Sequence, residues 1–395
     1  MNPYSKSRVG CRKRKWPPAA AIYAHVPFCR AKCRYCDFYS LTDASLAEAL
    51  VQAELAELGR RRGELAPSVR SVFVGGGTPT SLPPAVLGRL LAALHAAAHS
   101  GEAGLEFTVE ANPGTLTPAV IDVLAGCGVN RVSLGVQSMD DRELATLGRI
   151  HTAADARSAV ASLRAAGFGN ISLDLIYGIP GQTADSWRAS LLAVLEMSPE
   201  HLSCYGLSFE AGTPLAADLS AGRVQPADDE LQRKLYDIAR EVAAAAGLEH
   251  YEISNFAPPQ RRCRHNLTYW HNEPYLGIGP AAASYIGGVR RTNQPDAAAY
   301  IAALAAGNSP PAASESLNRR HQMAETLMLG LRLIDGVRRD AFAERFGQDP
   351  LDAFPQSIGR YRDAGALVVG ADAIRIAAEY LFVADTVLAD IVAEA

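Results

Sequence analysis

Residues 22–40 read IYAHVPFCRAKCRYCDFYS, and Cys29, Cys33 and Cys36 within that run decide most of what the chain can do. An apolar, strand-like stretch opens into a loop whose thiols are spaced C-x-x-x-C-x-x-C. Three thiolates in that arrangement can hold three irons of a [4Fe–4S] cluster and leave the fourth iron open to a small molecule. Ferredoxin clusters use four cysteines, and a structural zinc closes its fourth position. The missing ligand is therefore the functional statement. A redox-sensing thiol trio and an incomplete zinc site are the alternatives that the cysteines alone leave open.

The flanks narrow the choice. Tyr23, His25, Pro27 and Phe28 before the first cysteine, and Asp37-Phe38 after the last, resemble the radical S-adenosylmethionine (SAM) superfamily. The resemblance is to its branch related to oxygen-independent coproporphyrinogen III oxidase. There the oxidase carries one more cysteine two residues after the third; this chain has Phe38. A phenylalanine at that place resembles the HemW-type heme chaperones.

Outward from the cysteine loop, short apolar runs alternate with helical patterns as far as about residue 256. Strands are expected at 22–26, 69–74, 105–109, 131–136, 171–176 and 201–207. Helices are expected at 46–60, 83–98, 118–124, 153–166, 185–197 and 229–246. Six β/α units predict an α/β fold with a parallel sheet. Counting alone leaves open a doubly wound sheet; the resemblance implies an open (β/α)6 partial barrel.

Nearly every strand ends in small or polar residues: Gly75-Gly76-Gly77-Thr78, Glu110-Ala111-Asn112, Gln137-Ser138, and Asp174 ahead of Tyr177-Gly178. Active sites of β/α barrels are built at that end of the strands. Turn chemistry explains the glycines but not Glu110, Gln137 and Asp174 in or beside apolar runs.

The chain of 395 residues suits a large domain plus a smaller one. The expected division is a basic, disordered tail (1–19), the barrel (20–257), a heme-binding-like segment (258–308) and a small, mainly helical C-terminal domain with a wing at 366–376 (309–395). The Ser/Pro run 309–316 reads as a linker. A net charge of −4 argues against a nucleic-acid partner, and no run of about 18 apolar residues predicts a membrane span. Lys6, Arg8, Arg12, Lys13, Arg14 and Lys15 lack the apolar core of a secretory signal. Seven cysteines without a disulfide pattern point to a reducing, cytoplasmic setting. Cys127 and Cys204 read as core thiols, and Cys11 has no nameable partner.

Matched position by position, the resemblance implies that Tyr23 lies near the cluster and SAM. Gly76, Gly77 and Thr78 would approach the SAM amino group, and Glu110 its ribose or a second nucleoside position. Gln137, Arg149 of LGRIH and Asp174 take the remaining cofactor-binding positions. A second segment, His265-Asn266-Leu267-Thr268-Tyr269-Trp270, matches the H-N-x-x-Y-W run of HemW-type proteins, implicated there in heme binding. Imidazole is a common axial ligand of heme, and Tyr269 and Trp270 are expected to pack on the macrocycle; Cys263 is the alternative ligand. Many relatives carry a further histidine where this chain has Ala283, so a bis-histidine arrangement is not expected.

The resemblance thus implies a heme carrier with a [4Fe–4S] cluster and SAM that gives heme to respiratory membrane enzymes. An electron donor such as a flavodoxin or ferredoxin would reduce the cluster. The rivals are an oxidase that decarboxylates porphyrinogen propionates and a heme-opening radical methyltransferase. Phe38 and the His265 segment favour the carrier.

Overall fold

β1 (Ala21–Val26), β2 (Ser71–Gly76), β3 (Glu106–Ala111), β4 (Arg131–Gln137), β5 (Ile171–Tyr177) and β6 (His201–Gly206) lie parallel, each paired with the next in chain order. Consecutive order without a reversal removes the switch point that a doubly wound sheet requires, so the six units form an open, barrel-like arc. The computed structural model describes residues 16–98 and 104–395. Cys11 and the six basic residues of the expected tail lie outside the described residues.

The helices outside the arc are α1 (Ala47–Arg61), α2 (Pro84–Ala98), α3 (Pro118–Gly126), α4 (Asp141–Leu147), α5 (Ala153–Ala165), α6 (Ala184–Leu195), α7 (Pro214–Ser220) and α8 (Asp229–Ala245). Thr117, Thr152, Thr183 and Asp228 begin four of them by accepting first-turn N–H groups, which such caps satisfy. Strand residues alternate between the two faces of the sheet. Val72, Val74, Phe107, Val109, Val132, Leu134, Leu173 and Leu175 are fully buried, whereas Glu110, Ser133, Asp174 and Ser203 line an internal cavity. The arc therefore has an apolar exterior under the helices and a polar lumen.

The sheet extends at both ends. Beyond β6 come the short antiparallel strands β7 (His250–Glu252) and β8 (Asn255–Phe256). α9 (Arg264–Trp270) follows, and β9 (Leu276–Ile278) pairs parallel with β1. β10 (Ala283–Ile286), β11 (Val289–Asn293) and β12 (Ala312–Ser316) form a separate antiparallel sheet, with α10 (Ala297–Ala305) inserted before its last strand. The Ser/Pro run is thus not simply a linker: residues 312–316 pair with β11, from Val289↔Ser316 to Asn293↔Ala312. Four of its five residues are exposed, so it lacks the apolar alternation that marks a half-buried strand.

The C-terminal part comprises α11 (Arg319–Gly330), β13 (Val337–Arg338), α12 (Arg339–Phe346), α13 (Pro350–Ala353), α14 (Pro355–Asp363), β14 (Leu367–Val369), β15 (Ala373–Ile376) and α15 (Ala384–Ala393). β14 and β15 form the expected wing, widened by β13. Leu327, Phe354, Leu388 and Ile391 join one buried apolar cluster with the barrel's own core. Among the described residues no helix is long and apolar enough to cross a membrane.

Candidate functional site

A cavity of about 550 Å³ opens where the strands end and reaches into the lumen. Cys29, Cys33, Cys36, Tyr23, Gly76, Gly77, Thr78, Glu110, Gln137, Arg149, Asp174 and His265 all line it. The expected cysteines, SAM-cradle residues and His265 therefore meet in one place.

The cysteine loop is pinned by its backbone: Cys29 N–H donates to Leu41 at 2.9 Å and Arg34 N–H to Leu147 at 2.9 Å. Gly77 lets it sit down on β2, since a Cβ there would stand 2.7 Å from the Val26 carbonyl and 2.8 Å from the backbone of Phe28. The thiols receive two polar contacts, Thr78 Oγ1 to Cys29 Sγ at 3.5 Å and Arg149 Nη1 to Cys33 Sγ at 3.3 Å. Burial raises the Cys29 and Cys36 thiols above their ordinary range, so a bound cation would be needed to hold them as thiolates. Among the described residues no three such ligands converge on a single ion. The three thiols line one cavity wall, and in a [4Fe–4S] cluster each would take a different iron.

Asn112 ties the cradle together, which sequence reasoning missed. Its Oδ1 accepts from Arg149 Nη2, and its Nδ2 donates to Thr78 Oγ1 at 2.7 Å. Both residues that touch cysteine sulfur are thus held by one amide. Gly135 leaves the necessary room: a Cβ there would meet the Gln137 amide at 2.8 Å and Asn112 Oδ1 at 2.9 Å. Gln137 has a φ of 69° at a register shift in β4. Such a bulge re-aims a side chain next to a site.

Two carboxylates face the same space. Asp174 is oriented by the hydroxyls of Ser133 and Ser172, at 2.8 and 2.9 Å. Glu110 accepts the Gly76 N–H at 3.1 Å and fills the space above Gly75, where a Cβ would clash at 2.6 Å. Burial, then the charge of Asp174, lifts the Glu110 carboxyl to about 7, against the Gly76 N–H and Arg131. Tyr23 is fixed through its hydroxyl to His25 Nδ1 at 3.0 Å, and His25 Nε2 to the Tyr39 carbonyl at 3.1 Å.

His265 lies in the cavity wall with both ring nitrogens engaged. Nδ1 bonds Ser71 Oγ at 3.1 Å and Nε2 bonds the Tyr269 hydroxyl at 2.9 Å. Burial, then Arg131, lowers its pKa to about 3, so the ring is neutral, the form that binds metals. Tyr269, four residues on, shares its face of α9 and also lines the cavity. Trp270 does not line it: one position further round, its ring lies 5.6 Å from the Arg332 guanidinium. The expected packing of Trp270 on a macrocycle in this cavity is thus corrected. Cys263 is fully buried against Glu106 and lines no part of the cavity, which makes it a core thiol. Phe38 stands at the rim, 64% exposed.

Residues 23–194 match the Radical SAM superfamily and residues 317–379 the HemN C-terminal domain. The heme chaperone HemW of Bacillus subtilis is 34% identical over 88% of this chain and 92% of its own. The chain belongs to the HemW heme-chaperone family, within the radical SAM superfamily. A second HemW relative, from Mycobacterium tuberculosis, is 38% identical over 80% of this chain and 82% of its own. In fold the chain is similar to coproporphyrinogen III oxidase (HemN) of Escherichia coli, described as a radical SAM enzyme. That match has a TM-score of 0.81 and 21% identity over 95% of this chain and 90% of the other. This chain and the oxidase are thus alike in fold, an open (β/α)6 partial barrel with a small, mainly helical C-terminal domain.

Proposed function

We propose that this protein is a heme carrier that binds a [4Fe–4S] cluster, SAM and heme in or beside one cavity and passes heme to an acceptor protein. The observation that carries the reading is that His265, from the segment shared with heme chaperones, lines the same cavity as the three cysteine thiols. The family membership supports it over 88% of the chain.

Cys29, Cys33 and Cys36 would hold three irons, with Thr78 and Arg149 donating to their sulfurs and offsetting the negative charge of the thiolates. When bound, the cluster supplies an electron at contact distance to SAM at the open iron. Arg149 and Asn112 present donors for a carboxylate beside the cysteines. Asp174 and Glu110 present acceptors for ribose hydroxyls, and their charge favours a cationic sulfonium. Gln137, Gly76, Gly77 and Tyr23 would complete the cradle. His265 would face heme iron through Nε2, once the Tyr269 hydroxyl swings away, while Ser71 keeps Nδ1 and so the ring orientation.

The oxidase reading has Phe38 against it, at the position where that branch carries an extra thiol. The acceptor is proposed to be a respiratory membrane enzyme, with a flavodoxin or ferredoxin as electron donor and the cytoplasm as the setting. The test is His265→Ala in the cluster-loaded protein: the heme Soret band is lost or shifted while iron content and SAM binding persist. An unchanged heme spectrum and affinity would remove His265 from the account.

A further inference from the structure

Arg131 opens β4 deep in the lumen, is 2% exposed and lines the cavity. Among the described residues its guanidinium forms no ion pair, and its Nε has no acceptor. Glu106 and Asp174 balance its charge only from beyond direct contact. Their oxygens already accept elsewhere, Glu106 from the N–H groups of Arg264 and His265 and Asp174 from Ser133 and Ser172, and none of them bonds the Arg131 guanidinium. Buried polar groups are ordinarily paired, and an unpaired buried charge is costly. An orphaned guanidinium on the cavity wall marks a place for a ligand. A guanidinium fork matches a carboxylate.

Two proposed ligands carry carboxylates, SAM and heme, and position separates them. Arg149 stands at the cysteine end, where the methionine part of SAM would meet the open iron. Gln137 ends β4 at that level and Arg131 begins it; six residue steps at about 3.3 Å put Arg131 on the order of 20 Å deeper. It acts instead on His265, whose imidazole feels its charge.

We propose that Arg131 anchors a propionate of heme. This rests on the heme-carrier reading. The experiment titrates the cluster-loaded, full-length protein with hemin and with hemin dimethyl ester, which has no free carboxylate, following the Soret band. The unaltered protein should prefer hemin by about tenfold or more. Arg131→Gln should abolish that preference and Arg131→Lys restore part of it, with SAM affinity and iron content unchanged. Equal affinity of the unaltered protein for the two compounds overturns the proposal, and this arm decides even if Arg131→Gln does not fold. Retention of the preference in Arg131→Gln also overturns it, as does a loss confined to SAM, which would give the anchor to the methionine carboxylate. Failure of the unaltered protein to bind either compound overturns the carrier reading itself.

Discussion

Glu106 on β3 accepts the backbone N–H of His265 at 3.0 Å, joining residues 159 positions apart. Its other oxygen takes the N–H of Arg264 at 2.9 Å. One barrel side chain thus caps α9, whose own N-cap residue, Cys263, offers no side-chain acceptor. Glu106→Ala should cost about 2–3 kcal/mol in reversible unfolding, as expected for a charged acceptor serving two first-turn N–H groups. Amide exchange within α9 should rise, and an unchanged exchange pattern would mean that the helix holds its place without the barrel.

The Tyr269 hydroxyl occupies His265 Nε2, the atom that would face heme iron in the proposed complex. Tyr269→Phe keeps the ring against Tyr275, where the centroids are 4.6 Å apart, and removes that bond. Heme affinity should rise several-fold, by about the worth of one hydrogen bond. A marked fall would show instead that the hydroxyl contacts heme.

Asn112 holds Arg149 and Thr78 at once. Asn112→Ala should weaken SAM binding by roughly tenfold and make iron easier to remove by chelators, with little change in melting temperature. Wild-type SAM affinity in that variant would reduce Asn112 to a packing role.

Glu110 gives the ligand-free protein a pH dependence of known sign. Its carboxyl lies near 7 in the folded state against an ordinary 4.5, so between those values the native state holds a proton that the unfolded chain releases. Stability contributed by this group therefore falls as pH rises from 4.5 to 7 and is level outside that window. Glu110→Gln should be more stable than the parent at pH 8, by at most about 3 kcal/mol, with the difference gone at pH 4.5. A difference independent of pH would rule out this titration.

The six β/α units were legible because each strand is an apolar run buried on its outer face and each long helix follows turn or cap residues. The strand-end groups were legible for the opposite reason, since Glu110, Gln137 and Asp174 interrupt apolar surroundings. β7, β8 and β13 were not, because strands of two or three residues are too short to show an apolar period and exist only through their partners. Asn112 and Arg131 look like a turn residue and a surface cation in sequence. What sets them apart is what stands opposite them: Thr78 and Arg149 for the first, a cavity wall for the second. Trp270 was misplaced because adjacency in sequence is not adjacency on a helix face.

The central claim, a radical SAM frame used to carry heme, is tested most directly by anaerobic reconstitution of the cluster followed by incubation with SAM, a reductant and either heme or coproporphyrinogen III. The account predicts retained heme, with its Soret band dependent on His265, and no protoporphyrinogen. Formation of protoporphyrinogen, lost on replacing Cys29, Cys33 or Cys36, would contradict it and identify an oxidase.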